Sequence, residues 1–453
     1  MKTKYLSILF FLLVFNGCSE DEPPPIVPPP PPPPPDYRKI TLAVEDVSYT
    51  EAWINIKTDS IIFLASITLL KNTNEEKFVL FNSDTTVYVD SLQPNVNYTF
   101  QAVLTGDTIK SDTVKAKTLE PTSHNFTWQT WEFGTHSSSA LYDVAIIDEN
   151  NIWAVGEIYM NDSLGNPDPH AYNAAHWDGS EWELKKITVD FRGSLITPPL
   201  TGVFTFSSTD IWFVGSLPIH GDGENWMMYD LRTTVDPNLS LSKVWGYSSD
   251  KIYFIGGAGN LAQYDNGTWY SLESGTDLDL TDIYGDSDGN IYAAGVNIAE
   301  IKGVVVKGDQ SGNWSVMIEG DIIDESELFD KLYGSFGALW IDENNTIYTG
   351  GDFLYEFRNN VWNYVLSLPE NHIGGDQSYI GYIYSIRGNK SNDIVVSGDR
   401  NTLRHFNGVD WAELGIPYTP YRSIFWRSVR IKDNLAVVVG DEGIKAKIML
   451  LIR

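Results

Sequence analysis

Three aspartates occupy the same position in a pattern that recurs along the second half of the chain. Asp352, Asp399 and Asp441 each follow a glycine that ends a short apolar run, and Glu157 has the matching place in an earlier copy. Carboxylates gathered at one place can bind a cation or act as general acid and base on a glycosidic bond. Gly-Asp is also a favourable turn dipeptide that any repeat would copy. The catalytic residues are therefore unknown, with Asp352, Asp399 and Asp441 as the candidates.

Aromatic residues gather in the same part of the chain. Aromatic rings at an open site can stack on sugar faces or contact a peptide. Because aromatic residues make up 13% of the chain, clustering by chance is the alternative. The candidate ligand-binding residues are Tyr379, Tyr382, Tyr418, Tyr421 and Trp426.

Other chemical signatures are missing from the sequence. The seven histidines show no metal-ligand spacing, and no nucleophile elbow, phosphate-binding loop or dinucleotide fingerprint is present. The loop 286–290 starts like a calcium loop, but its counterparts in other copies are not acidic in the same places. We therefore predict no cofactor and no metal site.

A repeated unit organises the chain from about residue 126 onward. In residues 241–272 four short runs of aromatic and β-branched residues alternate with Gly, Asn and Asp turns, which is typical of an antiparallel meander. Its second run ends on a glycine that recurs with spacings of 59, 41, 39, 56, 47 and 42 residues. These spacings predict seven units of four strands. The glycines are Gly156, Gly215, Gly256, Gly295, Gly351, Gly398 and Gly440.

The two ends of the repeat region complement each other. The last unit stops at Arg453 after three strands, whereas an extra strand, 126–131, precedes the first unit. Pairing that N-terminal strand with the last unit would close a ring and cover an exposed sheet edge.

With Ile-Trp-x-Val-Gly strands and His-Trp-Asp-Gly-x-x-Trp hairpins, residues 126–453 resemble bacterial β-propellers of cell-envelope and secreted proteins. Asp265–Trp269 also resembles the Asp-box hairpin of sialidase-type propellers. The resemblance implies an all-β, seven-bladed ring closed by the N-terminal strand. It implies little about function, because propellers host binding, scaffolding and catalytic roles alike.

The first 36 residues read as an export leader and a tether. Lys2 and Lys4 precede an apolar run that ends near Cys18, the only cysteine, and the segment 1–18 resembles the lipobox of bacterial lipoproteins. A plain secretory signal with an incidental cysteine is the alternative. Residues 19–22 resemble the acidic surface-export signal of Bacteroidetes lipoproteins, and the prolines of 23–35 predict a stiff polyproline II spacer. The tether is therefore 19–36, with Cys18 as the lipidation site.

Residues 37–120 predict a small β-sandwich. Their period-2 pattern contains Leu92–Tyr98, which resembles the L-x-P-x-x-x-Y corner of fibronectin type III domains, and Trp53 would be the buried tryptophan of an early strand. Such domains act as spacers or adhesive units, and we favour the spacer. The β-propeller then occupies 121–453.

The net charge of −29 excludes some partners. Nucleic acids need phosphate neutralisation by Lys and Arg, and anionic lipid heads repel an acidic surface, so we expect no nucleic acid and only a lipid-mediated membrane contact. The sequence favours a non-catalytic lipoprotein of the outer membrane or cell surface, facing periplasm or exterior, whose propeller binds a glycan or protein ligand. The alternatives are a carbohydrate-active enzyme using the acidic residues and a sensor or assembly scaffold.

Overall fold

The computed structural model describes residues 36–309, 311–321, 332–358, 360–365, 381–415 and 423–453. The described chain is all-β, apart from the one-turn helix α1 (Leu231–Thr234) and the 3-10 turn Gly257–Gly259. Tyr379, Tyr418, Tyr421 and Cys18 lie outside the described residues.

An N-terminal unit is built from two sheets that share one core. One sheet has the order β1-β2-β5 and the other β4-β3-β6-β7. Inward-facing apolar residues from both sheets, among them Ile54 and Phe100, are fully buried between them. The strands are β1 (Lys39–Val47), β2 (Ala52–Asp59), β3 (Ala65–Lys71), β4 (Asn74–Leu80), β5 (Asp84–Val89), β6 (Asn97–Leu104) and β7 (Val114–Lys117).

Trp53 does not belong to that core, which corrects the prediction of a buried tryptophan. Along β2 the side chains alternate between faces, and Ala52, Ile54 and Ile56 take the inner face. Trp53 therefore points outward, where the Arg358 guanidinium lies 5.0 Å from the centre of its ring.

The rest of the described chain forms successive antiparallel sheets. Strand β8 (Thr127–Phe133) comes first. Sheet 1 contains β9 (Ala140–Asp148), β10 (Asn151–Ile158), β11 (Tyr172–Trp177) and β12 (Trp182–Lys185), followed by the hairpin β13 (Val189–Phe191) and β14 (Ser194–Ile196). Sheet 2 contains β15 (Gly202–Ser207), β16 (Asp210–Gly215), β17 (Leu217–Gly221) and β18 (Trp226–Met228). Sheet 3 contains β19 (Leu241–Ser248), β20 (Lys251–Gly256), β21 (Asn260–Asp265) and β22 (Thr268–Glu273).

Four more sheets follow in the described residues. Sheet 4 contains β23 (Asp279–Gly285), β24 (Ile291–Asn297), β25 (Lys302–Gly308), β26 (Trp314–Asp321) and the parallel strand β27 (Leu332–Tyr333). Sheet 5 contains β28 (Phe336–Ile341), β29 (Ile347–Gly351), β30 (Leu354–Arg358) and β31 (Val361–Tyr364). Sheet 6 contains β32 (Ile383–Lys390), β33 (Asp393–Gly398), β34 (Leu403–Phe406) and β35 (Trp411–Glu413). Sheet 7 contains β36 (Phe425–Lys432), β37 (Leu435–Glu442) and β38 (Lys445–Ile452), with β8 as its fourth strand.

The recurring glycine has a steric cause. A Cβ atom there would lie only 1.8–2.2 Å from a backbone carbonyl oxygen near the start of the same sheet. Only glycine tolerates so close an approach of two backbones. This contact occurs at Gly156, Gly215, Gly256, Gly351, Gly398 and Gly440.

The first strands of sheets 1 to 7 pack against one another in a cycle, in which β36 of sheet 7 contacts β9 of sheet 1. Strand β8 pairs antiparallel with β38, from Phe133 opposite Ala446 to Thr127 opposite Ile452. The indole of Trp131 on β8 then packs against Trp177 of sheet 1 at 5.3 Å between ring centres. The seven sheets are called the ring below.

Charged side chains are buried between the first strands. Arg387 donates two hydrogen bonds to Asp282, of 2.9 and 2.7 Å. Asp143 accepts from Ser428 Oγ at 2.7 Å and pairs with Lys243 at 3.1 Å. Buried charges are stable only when paired in this way.

The N-terminal unit contacts sheets 5 and 6 of the ring. The Tyr49 hydroxyl donates to the Asn407 carbonyl at 2.7 Å, and Arg358 pairs with Glu51 at 2.6 Å. Both contacts come from the β1–β2 end of the unit, which therefore faces the ring.

Candidate functional site

The four carboxylates singled out in the sequence take equivalent places on neighbouring sheets. The Asp352 N–H donates to the Ser335 carbonyl at 2.9 Å and the Asp399 N–H to Tyr382 at 3.0 Å. Asp441 and Glu157 lie opposite Phe425 and Ala140, the first residues of their sheets. Because sheets 5, 6, 7 and 1 are consecutive in the cycle, these acids line one side of one face. We call Asp352, Asp399, Asp441 and Glu157 the acidic arc.

Acids at the position after the recurring glycine are confined to these four sheets. In sheets 2, 3 and 4 the residue after the recurring glycine is Ser216, Gly257 or Val296. The repeat therefore does not require an acid at this position, and a turn preference alone does not account for the arc.

Asp352 and Asp399 occupy different environments. Asp352 is exposed, and its Oδ2 accepts hydrogen bonds of 2.8 Å from both the N–H and the hydroxyl of Ser335. Burial raises the pKa of Asp399, and the charge of Asp352 adds to the effect, although Arg400 opposes it. Among the described residues, Asp399 Oδ1 is buried without a hydrogen-bond partner. Its burial therefore favours a proton on the Asp399 carboxyl more than on a free aspartate.

Asp441 is held by a cation. Its carboxylate pairs with Arg427, whose guanidinium also lies 5.6 Å from the ring centre of Tyr142. Burial raises the pKa of Tyr384, and the charges of Asp399 and Asp441 raise it further, whereas Arg427 opposes the rise. The charge of Asp441 is thus balanced by a cation of its own sheet.

Glu157 connects the arc to an open cavity of about 420 Å³ between sheets 1 and 2. Its Oε1 accepts a 3.1 Å hydrogen bond from the Tyr159 hydroxyl. Both residues line the cavity together with His170 and with Leu195 of the β13–β14 hairpin. The cavity mixes one carboxylate with apolar and aromatic surface, which suits a peptide or sugar side group.

Of the five predicted ligand-binding aromatic residues the structure describes two, Tyr382 and Trp426, and these two do not lie in one site. The half-buried Tyr382 packs against Tyr384 at 5.3 Å between ring centres, beside Asp399. Trp426 is only 1% exposed and belongs to the core between sheets 6 and 7, so it presents no ring face to a ligand. Trp426, predicted from the sequence to bind a ligand, is a core residue instead.

Three residues of this face were missed in the sequence: Arg427, Tyr142 and Tyr159. Arg427 and Tyr142 lie two places into the first strands of sheets 7 and 1, where the repeat shows no constant residue type. Tyr159 follows Glu157 by two residues, so strand alternation from Glu157 was the signal that could have found it.

Within the described residues, no cluster of three or more His, Cys, Asp or Glu has the geometry to hold a metal ion. The same part of the chain has no helix with the length and apolarity needed to cross a membrane.

Sequence comparison finds a curated relative for part of the chain only. No family model matches the chain. A stretch of 111 residues is 29% identical to Immune protein Tsi7 of Pseudomonas aeruginosa, and it covers 24% of this chain and 33% of that protein. The chain thus spans about a third of the length of this curated relative.

Two solved structures are similar over most of the chain. The YCF48 structure bound to D1 peptide has a TM-score of 0.51 at 14% identity and covers 74% of this chain and 99% of its own. The WD40 β-propeller domain of Doa1 has a TM-score of 0.47 at 13% identity, covering 72% and 97%. At these identities the likeness concerns the fold alone. The chain is an all-β protein with propeller-like sheets.

Proposed function

We propose that this chain is a non-catalytic, lipid-anchored protein of the cell envelope whose ring is a seven-bladed β-propeller. On this proposal the N-terminal unit is a fibronectin type III-like spacer and the ring binds a protein ligand through a basic segment laid across the acidic arc. The observation that carries the proposal is the confinement of four carboxylates to consecutive sheets, while the equivalent places elsewhere are neutral.

The architectural part of the proposal is supported by strand order. Seven sheets whose first strands touch in a cycle, with β8 as the outer strand of sheet 7, are the arrangement expected of a seven-bladed ring. The orders β1-β2-β5 and β4-β3-β6-β7 suit a seven-stranded fibronectin-like sandwich. In the same unit the Tyr98 hydroxyl accepts a 2.7 Å hydrogen bond from the Gln93 N–H, as a tyrosine corner would.

The chemistry of the arc favours a basic protein segment over a neutral glycan. Carboxylates attract Lys and Arg and form strong charge-assisted hydrogen bonds with them. A glycan would need a flat exposed ring to stack on, whereas of the two predicted aromatic residues that the structure describes, Trp426 is in the core and Tyr382 is half-buried. A propeller-like neighbour was solved with a peptide bound, so folds of this kind can hold one.

The test is a peptide-display selection on the purified chain starting at Ser19, which retains every described strand. We expect the selected peptides to be rich in Lys and Arg. The triple variant Asp352→Asn, Asp399→Asn, Asp441→Asn should weaken their binding about tenfold or more at low salt, because the three carboxylates are exposed or half-buried and each charge pair with the peptide contributes up to ~1 kcal/mol.

A matched control removes the same charge elsewhere. Asp250, Glu273 and Asp277 are exposed, and changing them to Asn, Gln and Asn should leave binding within about twofold. Equal losses in both triple variants would show that only net charge matters and would overturn the arc as the site. Release of a product from a polysaccharide, abolished by one arc substitution, would instead establish the carbohydrate-active enzyme.

The anchor is tested separately. Mass spectrometry of the mature protein should find lipid on Cys18, and Cys18→Ser should release the chain from the membrane fraction of the producing bacterium. The proposed location is the outer membrane or cell surface, facing periplasm or exterior, and protease shaving of intact cells separates these two faces. A chain that leaves the cell as a soluble protein would refute the anchor.

A further inference from the structure

An exposed apolar surface lies at one end of the N-terminal unit. Ile62 is 89% exposed, Phe63 50% and Leu64 70% in the β2–β3 loop, while Val79 and Phe81 next to it are 50% and 73% exposed. Leu64 has a φ of 64°, and its N–H donates to Leu80 at 3.0 Å, which fixes the loop beside β4. Large apolar side chains grouped in this way on a soluble domain mark an interaction site. We call these five residues the apolar tip.

The apolar tip lies at the end of the unit that the leader enters. Lys39 at the start of β1 pairs with Asp59 at the end of β2, directly before the tip loop. The opposite end of the same two strands carries Tyr49 and Glu51, which contact the ring. The two ends of the unit therefore differ. One end contacts the ring, and the other carries the leader and the apolar tip.

The charges at this end balance one another, although the protein as a whole is strongly acidic. Residues 36–39, 57–64, 79–84 and 105–110 contain four acidic and four basic side chains, against a net charge of −29 for the whole chain. Several are paired: Arg38 with Asp36 and Asp107 at 2.7 Å each, and Lys57 with Asp84 at 3.1 Å. The electrostatic repulsion that keeps an acidic surface away from anionic lipid is therefore absent here.

We propose that the apolar tip inserts into the interfacial layer of the membrane to which the chain is anchored, so that the N-terminal unit stands on the bilayer and presents the ring outward. The inference rests on the proposed lipid anchor, and it requires the stiff tether of residues 19–36 to lie along the membrane surface so that this end reaches the bilayer. A loop with Ile, Phe and Leu at its turn can bury those side chains among lipid head groups, as interfacial membrane segments do.

A second copy of the chain fits the tip less well. β4 is the edge strand of its sheet, and pairing with another β4 would run along its whole length. The first part of that strand presents the exposed residues Glu75, Glu76 and Lys77, and only its end is apolar. Charged edge residues oppose strand addition, so the surface is suited to a shallow apolar layer at its end rather than to an extended strand.

The test supplies the tether artificially, so that it does not depend on lipidation of Cys18. The chain from Ser19 with an N-terminal histidine tag is bound to vesicles of phosphatidylethanolamine and phosphatidylglycerol that contain a nickel-chelating lipid. Hydrogen exchange is followed by mass spectrometry. We expect amides of residues 61–64 to exchange at least about fivefold more slowly on the vesicles than in solution, because water is excluded from the inserted loop.

Two variants complete the test. The change Ile62→Ser, Phe63→Ser, Leu64→Ser should abolish the slowing. The change Leu164→Ser, Leu195→Ser, which removes similarly exposed leucines from the ring, should retain it. Identical exchange on vesicles and in solution would overturn the proposal. So would slowing that appears without vesicles as protein concentration rises, since it would identify the tip as a contact between copies.

Discussion

Asp143 and Asp342 are both buried aspartates, yet the structure shifts their pKa values in opposite directions. Burial alone would raise the pKa of Asp143, but Lys243, Arg430 and the Ser428 hydroxyl lower it to about 2. Burial raises the pKa of Asp342 to about 6; the N–H groups of Thr346 and Asn344 oppose the rise and the charge of Glu343 adds to it. Asp143 therefore stays charged between the first strands, whereas Asp342 titrates near neutral pH.

The raised pKa of Asp342 makes the folded state less stable at high pH. The folded protein binds the proton of Asp342 more tightly than the unfolded chain does, where the pKa of this group is 3.8. The stabilising contribution of Asp342 is therefore greatest below about pH 4. Its contribution is lost as the pH rises to about 6. Asp342→Asn keeps an oxygen for the two N–H donors and removes the buried charge. The variant should raise the free energy of unfolding at pH 8 by about 2 kcal/mol, measured by urea denaturation.

The chain offers a matched control for this prediction. Asp148, the last residue of β9, begins the same Asp-Glu-Asn-Asn sequence, but there the aspartate is exposed. Asp148→Asn should change the free energy of unfolding by no more than about 0.5 kcal/mol at either pH. If both variants gave the same gain at pH 8, the effect would reflect net charge and not the burial of Asp342.

At the scale of single sheets, the recurring glycine gives a prediction for which another glycine of the repeat, Gly295, serves as the control. Gly440→Ala would place a methyl group 1.8 Å from the Phe425 carbonyl oxygen, so the two backbones must separate. We expect a loss of about 3 kcal/mol or more in the free energy of unfolding. In Gly295→Ala the nearest atoms are the ends of the Leu280 and Val304 side chains, at 3.0 Å. Those can shift, so the loss should stay near 1 kcal/mol.

The comparison is made by chemical denaturation followed by far-ultraviolet circular dichroism. The order of the two losses is what matters. A Gly295→Ala variant as unstable as Gly440→Ala would mean that the close approach to a backbone oxygen is not what selects glycine at this position.

Strands were predictable from sequence because alternation, turn residues and the glycine are local signals. The register of the repeat also predicted that Asp352, Asp399, Asp441 and Glu157 take equivalent places. The hairpin β13–β14 was not anticipated, because its two strands have only three residues each. Neither was the outward direction of Trp53, since the surface that covers it belongs to Arg358, about 300 residues away in sequence.

The rest of the candidate site depends on contacts between sheets. Arg427 pairs with Asp441 inside sheet 7 and reaches Tyr142 in sheet 1, and no repeat position marks either residue. Likewise, Trp426 and Tyr382 belong to the same aromatic-rich stretch of sequence, but one is in the core and the other is half-buried. Composition identified the stretch; only packing separates its members.

At the scale of the whole molecule, β8 joins the two ends of the ring through one tryptophan. Trp131 packs against Trp177 and Trp182 of sheet 1, at 5.3 and 6.3 Å between ring centres. Trp131→Ala should lower the free energy of unfolding by about 3 kcal/mol, because a large apolar contact between sheets 7 and 1 is lost. Trp128 lies on the same strand and is 51% exposed.

Trp128→Ala is therefore the control, with an expected change below about 1 kcal/mol. Guanidinium unfolding of both variants, monitored by circular dichroism, makes the comparison. If both variants changed the free energy of unfolding by the same small amount, β8 would not contribute to closure. The contact of β36 with β9 would then close the cycle without it.

The pairing of β8 with β38 also sets an order of events in time. Thr127 hydrogen-bonds to Ile452, 325 residues further along the chain. A polypeptide emerges from a ribosome or an export channel with its amino end first. Strand β8 must therefore stay unpaired until almost all of the ring has emerged. The N-terminal unit, whose partners are close in sequence, can form early. The ring is completed only at the end, so a chain cut short near its carboxyl end would retain most of its sheets and still fail to close.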